Sequence, residues 1–272
     1  MSSQGDSFGF GPRSNDSQFA GLDGLAEDQD VESASPRLGV NAAPSGEPLA
    51  FHVAIVDSEV DLLRVQTLRQ AAYGHHLPAL AANFGQADPV DRWPDVTIFF
   101  AEDKATQRVV GSARLQCNRS QPLQIERSIV LPPQLRGRLL AEITRMTVLP
   151  GYAQPVKLAL VKAVHLYCIA MQIGGIVAAS RPSLMRQYVN LGFEDLYGDE
   201  RMAPMAHGGG IAHRVLFRDT VTSEAHNRAR KHPDYAFVFR SYHPDIHVFD
   251  TVARVPEVLR QVPARTRYSR AA

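Results

Sequence analysis

The stretch that most constrains this chain is Leu140-Ala141-Glu142-Ile143-Thr144-Arg145-Met146-Thr147-Val148-Leu149-Pro150. Ile143, Met146 and Val148 suit a packed sheet, and Thr144 and Thr147 are β-branched. The stretch therefore reads as a central strand that runs into a turn and then a helix. Glu142 and Arg145 interrupt it, and a buried strand excludes such charges unless they are paired or used. Three residues apart, they point to opposite faces of a regular strand. A bulge between them would bring them to one face. On its own the pair leaves a structural ion pair, a wet strand end and a functional pair open.

The surroundings suit a cored domain. The chain has 272 residues, 44% hydrophobic and 21% charged, with a net charge of +1. The average gives no argument for nucleic acid. The charge is uneven: residues 1–48 hold eight acids and two bases, a net of −6, which leaves +7 on the rest. A mildly basic globular part suits an acidic partner or anionic substrate as well as it suits an ordinary surface. Cys117 and Cys168 lie in apolar contexts without metal-ligand spacing, which fits buried thiols in a reducing cytoplasm. The ten histidines form no ligand set, so no metal is expected. Met1-Ser2-Ser3-Gln4-Gly5-Asp6 opens no basic region followed by an apolar run, so no signal peptide is expected. No apolar stretch is long enough to span a bilayer.

Residues 1–48 are rich in Ser, Gly, Asp, Ala and Pro without apolar period, and read as disordered. Order begins with a strand over 50–56, then a helix capped by Asp57 or Ser58 and ending near Tyr73-Gly74. Residues 75–95 form a long loop with a short helix at 77–83; it carries Asp88, Asp91 and Trp93, and such loops are often functional. Strands at 96–101 and 109–117 make an antiparallel hairpin. A second long connection over 118–139 leads to the central strand. A helix apolar nearly all round starts at Pro155 and stops at Gly174-Gly175. Ile176–Ser180 reads as a parallel strand beside the central one, and a short helix from Pro182 to Asn190 closes on Gly192. Strands are expected at 201–205 and 213–218, with His207-Gly208-Gly209-Gly210 as the turn between them. Residues 223–272 read as an appendage: a short helix near 223–231, an extended Tyr235–Phe239, and a basic tail.

That order resembles the GNAT acyltransferase fold: α/β, three layers, a central mixed and splayed sheet flanked by helices, here over 49–222. Leu191-Gly192-Phe193, preceded by Tyr188, looks like the end of its last motif. Gly111-Ser112-Ala113-Arg114-Leu115 and Glu142-Ile143-Thr144-Arg145-Met146-Thr147-Val148 resemble the G-x-x-R-L and E-x-S-R-F-x-V pair of LuxI-type acyl-homoserine lactone synthases. Arg69 and Tyr73 match that family's Arg and Phe on the first helix, and Asp88 and Asp91 its two spaced aspartates. Trp93 falls after the aspartates, where the LuxI-type loop tryptophan does not. With the extra head and tail, the chain looks more similar to the FeeM-type N-acyl amino acid synthases.

The resemblance implies an acyltransferase that joins a fatty acyl group to the amine of an amino acid or similar small amine. Acyl carrier protein is the implied donor and partner, through its acyl-phosphopantetheine, with no permanently bound cofactor. Gly151-Tyr152-Ala153-Gln154-Pro155-Val156 lacks the glycines that grip coenzyme A pyrophosphate in typical GNAT enzymes, and proline removes a donor, so acyl-coenzyme A is the lesser expectation. The alternatives are a lactone synthase using S-adenosylmethionine and a non-catalytic acyl-carrier-binding scaffold. No serine sits in a G-x-S-x-G elbow, which argues against a hydrolase.

The residues then take expected roles. Glu142 is the candidate base for the amine, its pKa raised by an apolar strand environment, or else a structural carboxylate paired with Arg114 or Arg145. Arg114 and Arg145 are candidates to grip the substrate carboxylate, or to pair with Asp88 and Asp91 and pin the loop over the site. Tyr188 is the candidate donor to the departing thiolate, or a packed helix tyrosine. Backbone N–H groups near Met146–Val148 would stabilise the thioester oxygen if the strand splays. Phe99, Phe100 and Met146 would line the acyl slot, or simply the core.

Overall fold

The computed structural model describes residues 46–76 and 88–248. All of these belong to the second of two compact units, 43–272. The expectations for residues 1–45, for a short helix at 77–83 and for the tail beyond 248 lie outside the described residues.

Among the described residues nine strands form one mixed sheet. Four antiparallel strands make one half: β1 (Phe51–Ile55), β2 (Val96–Asp103), β3 (Val109–Cys117) and β4 (Leu140–Val148). β5 (Gly175–Ser180) lies parallel to β4, and β8 (Ala212–Asp219) runs antiparallel to β5. The short strands β6 (Glu194–Asp195) and β7 (Met202–Pro204) both pair with β8. β9 (Ile246–His247) closes the other edge, parallel to β1.

The β4–β5 register begins at Leu140↔Gly175 and stops at Ile143↔Ala178, although β4 continues to Val148. The two strands therefore part at their C-terminal ends. β4 carries an irregularity at the same level. Ser112 pairs with Thr147 but Arg114 with Thr144, so β4 spends one residue more than β3 there. Arg145 takes φ +54°, the left-handed region. Leu149 N–H donates to Val110 O at 2.8 Å. By the alternation of a strand, Val148 N–H then faces the open β5 side.

Two helices cover the faces. α1 (Glu59–His76) begins where Ser58 Oγ accepts the N–H of Asp61, and runs two residues past the expected end. It buries Leu62, Val65 and Leu68 against Ile98, Phe100 and Val109. α2 (Ala153–Ala170) starts two residues earlier than expected and holds Pro155 in its first turn. Val156, Leu160, Ala163 and Val164 on it pack with Phe99, Ala113, Leu115 and Ile143 on the opposite face. A Cβ on Gly111 would stand 2.5 Å from Val156 Cγ1, so only glycine lets α2 approach β3 this closely. α3 (Met185–Asn190) ends at Gly192, whose φ is +82°. Both cysteines are buried, and burial pushes the Cys168 thiol up to about 12.

Beyond β8, α4 (Ser223–Ala229) is followed by a single π-helical turn at Ala236–Arg240. This corrects the extended reading of Tyr235–Phe239. Alternating aromatics mimic a strand, but here they converge. Phe239 stacks edge-on to His165 of α2 and Phe237 lies against His243. Lys162 Nζ donates to Phe237 O at 2.7 Å and Ser241 O at 2.5 Å, giving otherwise orphaned carbonyls a partner. Its burial lowers the amine to about 8. The segment then returns along the sheet edge, where Val53 N–H donates to Asp245 O at 2.7 Å.

Lys162→Met should therefore destabilise the protein by about 1–3 kcal/mol, the cost of two unpaired carbonyls. Hydrogen exchange should show the loosening concentrated in 236–248, and uniform loosening would contradict this account.

Candidate active site

The site is built on the face of β3 and β4 that α2 does not cover. Arg114 of β3 organises it, with a side chain 0% exposed. Nη1 donates to Asp88 Oδ2 at 2.7 Å and to Asp91 Oδ1 at 3.1 Å. Nη2 donates to Gln124 Oε1 at 3.1 Å, and Nε to Thr144 Oγ1 at 3.0 Å. Asp91 also takes Arg69 of α1 at 2.8 and 2.9 Å. Arg145 Nη2 lies 3.4 Å from Asp88 Oδ2. Its head therefore reaches the side of the sheet that holds Arg114, as the bulge permits.

Local structure presents the aspartates. Pro89 opens a 3-10 turn (Pro89–Arg92), and Asp88 caps it by accepting Val90 N–H at 3.1 Å. Burial works to raise the Asp88 carboxyl, but Arg114, the Val90 N–H and Arg145 outweigh it and hold it below its ordinary value. Three guanidiniums thus meet two carboxylates, and the surplus charge is positive.

Of the two roles open to Arg114, the structure shows the pairing with Asp88 and Asp91, and Arg69 pairs with Asp91 as well. Both arginines are buried, and the Arg114 donors are taken up by the protein. Arg145 differs, with a side chain 18% exposed. It is the member of the trio able to meet a ligand.

Glu142 sits beside this network, with a side chain 0% exposed. The connection 118–139 covers it. Gln116 pins that segment by donating to Pro122 O at 3.0 Å and accepting Gln124 N–H at 3.1 Å. Ile125 N–H, in a 3-10 turn (Gln124–Arg127), donates to Glu142 Oε2 at 2.8 Å. Leu123, Ile125, Leu140 and Met205 pack around it as a second apolar cluster. Burial raises the carboxyl from 4.5 to about 7, against the lowering effect of the Ile125 N–H and Arg114. A carboxyl poised there can accept a proton near neutrality.

One further residue reaches Glu142. His207, on the turn between β7 and β8, places Nε2 3.3 Å from Oε1. The two are close but out of line, and Oε1 has no hydrogen-bond partner among the described residues. In the sequence His207 reads only as part of a turn. Its contact crosses from one strand pair to another, and no local pattern signals that.

The other expected residues are spread wider. Met146 and Val148 pack on the α2 face, while Phe100 lies under α1. Phe100 and Met146 therefore do not line one slot. Tyr188 on α3 is half-buried, edge-on to Phe193 at 5.5 Å. The backbone of Tyr73 lies in α1, but its side chain is outside the described residues.

The splayed mixed sheet, its bulged central strand and the carboxylate on that strand define an acyltransferase of GNAT fold. The FeeM family, described as N-acyl amino acid synthase, matches residues 64–210, and the chain belongs to that family. The solved structure of FeeM, an N-acyl amino acid synthase from uncultured soil microbes, shares the fold. It is 14% identical with a TM-score of 0.51, over 64% of this chain and 93% of that one. A coenzyme A-dependent acyl-homoserine lactone synthase, BjaI, is 17% identical with a TM-score of 0.44, over 75% and 98%. A GNAT acetyltransferase from Staphylococcus aureus Mu50 is 14% identical with a TM-score of 0.42, over 62% and 99%. No curated protein matches the chain. No helix among the described residues is long and apolar enough to cross a membrane.

Two outcomes follow. Arg114→Met should cost about 3–5 kcal/mol in denaturant unfolding, because it breaks a buried ion-pair network and leaves Asp88 and Asp91 short of a partner, whereas Arg145→Met should cost under about 1 kcal/mol. Equal costs would contradict the division between buried and open cations.

Glu142 binds its proton more tightly folded than unfolded. The stability it contributes is full below about pH 4.5 and is lost as pH rises through about 7. The midpoint of thermal unfolding of Glu142→Gln, minus that of the wild type, should thus grow between pH 5 and pH 8. A flat difference would contradict the raised pKa.

Proposed function

We propose that this acyltransferase moves a fatty acyl group from the phosphopantetheine thioester of acyl carrier protein to the amine of an amino acid or similar small amine. The carrying observation is the pair on the central strand: a buried carboxyl shifted to about 7 and, three residues along, a partly exposed guanidinium. An amino acid brings the complement, an ammonium to lose a proton and a carboxylate to be held.

Glu142 takes the first ammonium proton. The amine attacks the thioester carbon, the N–C bond forms and the C–S bond breaks. The second nitrogen proton goes to the departing thiolate, with Tyr188 as the candidate carrier. Arg145 holds the acceptor carboxylate. The open edge of β4 offers Val148 N–H to the thioester oxygen.

Two features favour the carrier protein over free coenzyme A. The first turn of α2 has Pro155 in place of a donor and no glycine loop before it. The +7 balance outside residues 1–48 suits an acidic carrier. Such a carrier, and the two free thiols, support a cytoplasmic setting for the reaction.

Lipid mass spectrometry on cells expressing wild type beside Glu142→Gln tests this. A new N-acyl amino acid in the wild type, absent with a folded mutant, is the expected result. An acyl lactone, or a product made as well by the mutant, would overturn it. With the product known, Arg145→Met should raise the KM for the acceptor about tenfold or more, the loss of one charge-assisted pair.

A further inference from the structure

A base must reach the proton it abstracts, and Glu142 is wholly covered. Ile125 N–H occupies Oε2 at 2.8 Å. Oε1 is the remaining oxygen, and what stands against it is the imidazole of His207 at 3.3 Å. The His207 side chain is 13% exposed. Its Nε2 faces the sealed carboxyl, and part of the side chain other than the buried Nδ1 reaches the surface.

The turn that carries it is fixed by backbone bonds. Met205 O accepts the N–H of Gly208 at 3.0 Å and of Gly210 at 2.9 Å. Ala206 N–H donates to Ser128 Oγ at 2.9 Å, which ties the turn to the segment covering Glu142. Gly209 and Gly210 take φ of +71° and +77°, which lets the chain fold back under the histidine. Nδ1, the other ring nitrogen, is buried without a partner. Facing a carboxylate, the ring carries its proton on Nε2 and leaves the Nδ1 lone pair to accept.

We propose that His207 is the proton relay between Glu142 and the acceptor amine, a role that rests on the acyl-transfer reading above. An ammonium N–H breaks as Nδ1–H forms, while Nε2–H breaks as Oε1–H forms. The products are a neutral amine, the other imidazole tautomer and a protonated Glu142. After transfer the same path runs backward and delivers the proton to solvent. The apo contact is out of line, as catalytic hydrogen bonds often are before substrate tightens them.

The charges around the ring suit transfer rather than storage. Burial, Arg145 on β4, His213 on β8, Arg114 on β3 and Arg127 on the covering turn together lower the imidazole to about 4. Glu126 on that same turn acts on Glu142, in the raising direction. A single proton shared by the pair therefore rests on Glu142, and the imidazole passes it on.

The test uses the full chain, carrier protein loaded with medium- and long-chain acyl groups, and a mixture of amino acids. His207→Gln keeps a donor opposite Oε1 but cannot relay. Its kcat should fall about 100-fold or more, with KM for the acceptor within about threefold. Added imidazole should restore part of the rate to His207→Ala. A folded His207→Gln within about twofold of the wild-type kcat, or a loss confined to KM, would overturn the relay.

Nitrogen NMR of His207 separates this from failure of the acyl-transfer reading. In wild type its ring signals should record the Glu142 titration near pH 7, and in Glu142→Gln that step should vanish. If the step is present while no acyl product forms, the pairing stands and the reaction assignment falls. If it is missing, the relay falls whatever the reaction.

Discussion

Arg114 is the interaction on which the site depends. A fully buried guanidinium is among the costliest groups to desolvate, and it persists only when its donors are met. Here they are met by a cap residue and a second aspartate on one turn, an amide on another and a threonine on β4, three separate pieces of chain. One side chain thereby fixes the Pro89–Arg92 turn, the covering turn at Gln124–Arg127 and the level of β4. Arg69 extends the lock to α1 through Asp91. The turns at Pro89–Arg92 and Gln124–Arg127 are thus tied to this buried charge, and the second is packed by an apolar cluster as well.

The same arrangement sets the chemistry of Glu142. The covering turn excludes water, and burial becomes the largest effect on the carboxyl. It also supplies one N–H, from Ile125, enough to orient the group without holding it ionised. Had Glu142 paired with Arg114 or Arg145, its pKa would have fallen and it would have been a poor proton acceptor at neutrality. The aspartates prevent this by drawing the guanidiniums to themselves. The alternative of a paired, structural Glu142, open from sequence, is thus closed by who bonds whom.

How far the sequence was legible follows the range of each interaction. The central strand, the hairpin before it, the long apolar helix and the parallel strand after it are periodic over many residues, and their order carried the fold. The bulge was legible in kind from the odd spacing of Glu142 and Arg145, though it falls at Arg145 itself, a left-handed residue that no local preference announces. Tyr235–Phe239 misled because period-two aromatics describe a strand, whereas Lys162 and His165 on a distant helix draw them into a helical turn. Strands of two residues, β6 and β9, are too short to leave a pattern. In the site, residue types and spacing offered the pairing of Arg114 with the two aspartates as one of two roles, and the structure takes that one. His207 looked only like a turn residue.

The bulge explains how one strand serves two needs that conflict. A carboxyl with a raised pKa needs shielding, and a cation that keeps partial exposure needs an open edge. Regular β4 would alternate them onto opposite faces. One inserted residue brings the Arg145 head round to the Arg114 side, where it keeps partial exposure, while Glu142 stays under the covering turn. Beyond the insertion the strand loses β5 as a partner and presents its N–H groups to the gap. Shielded carboxyl, partly open cation and unpaired backbone edge are therefore gathered around a single irregularity, opposite the buried arginine.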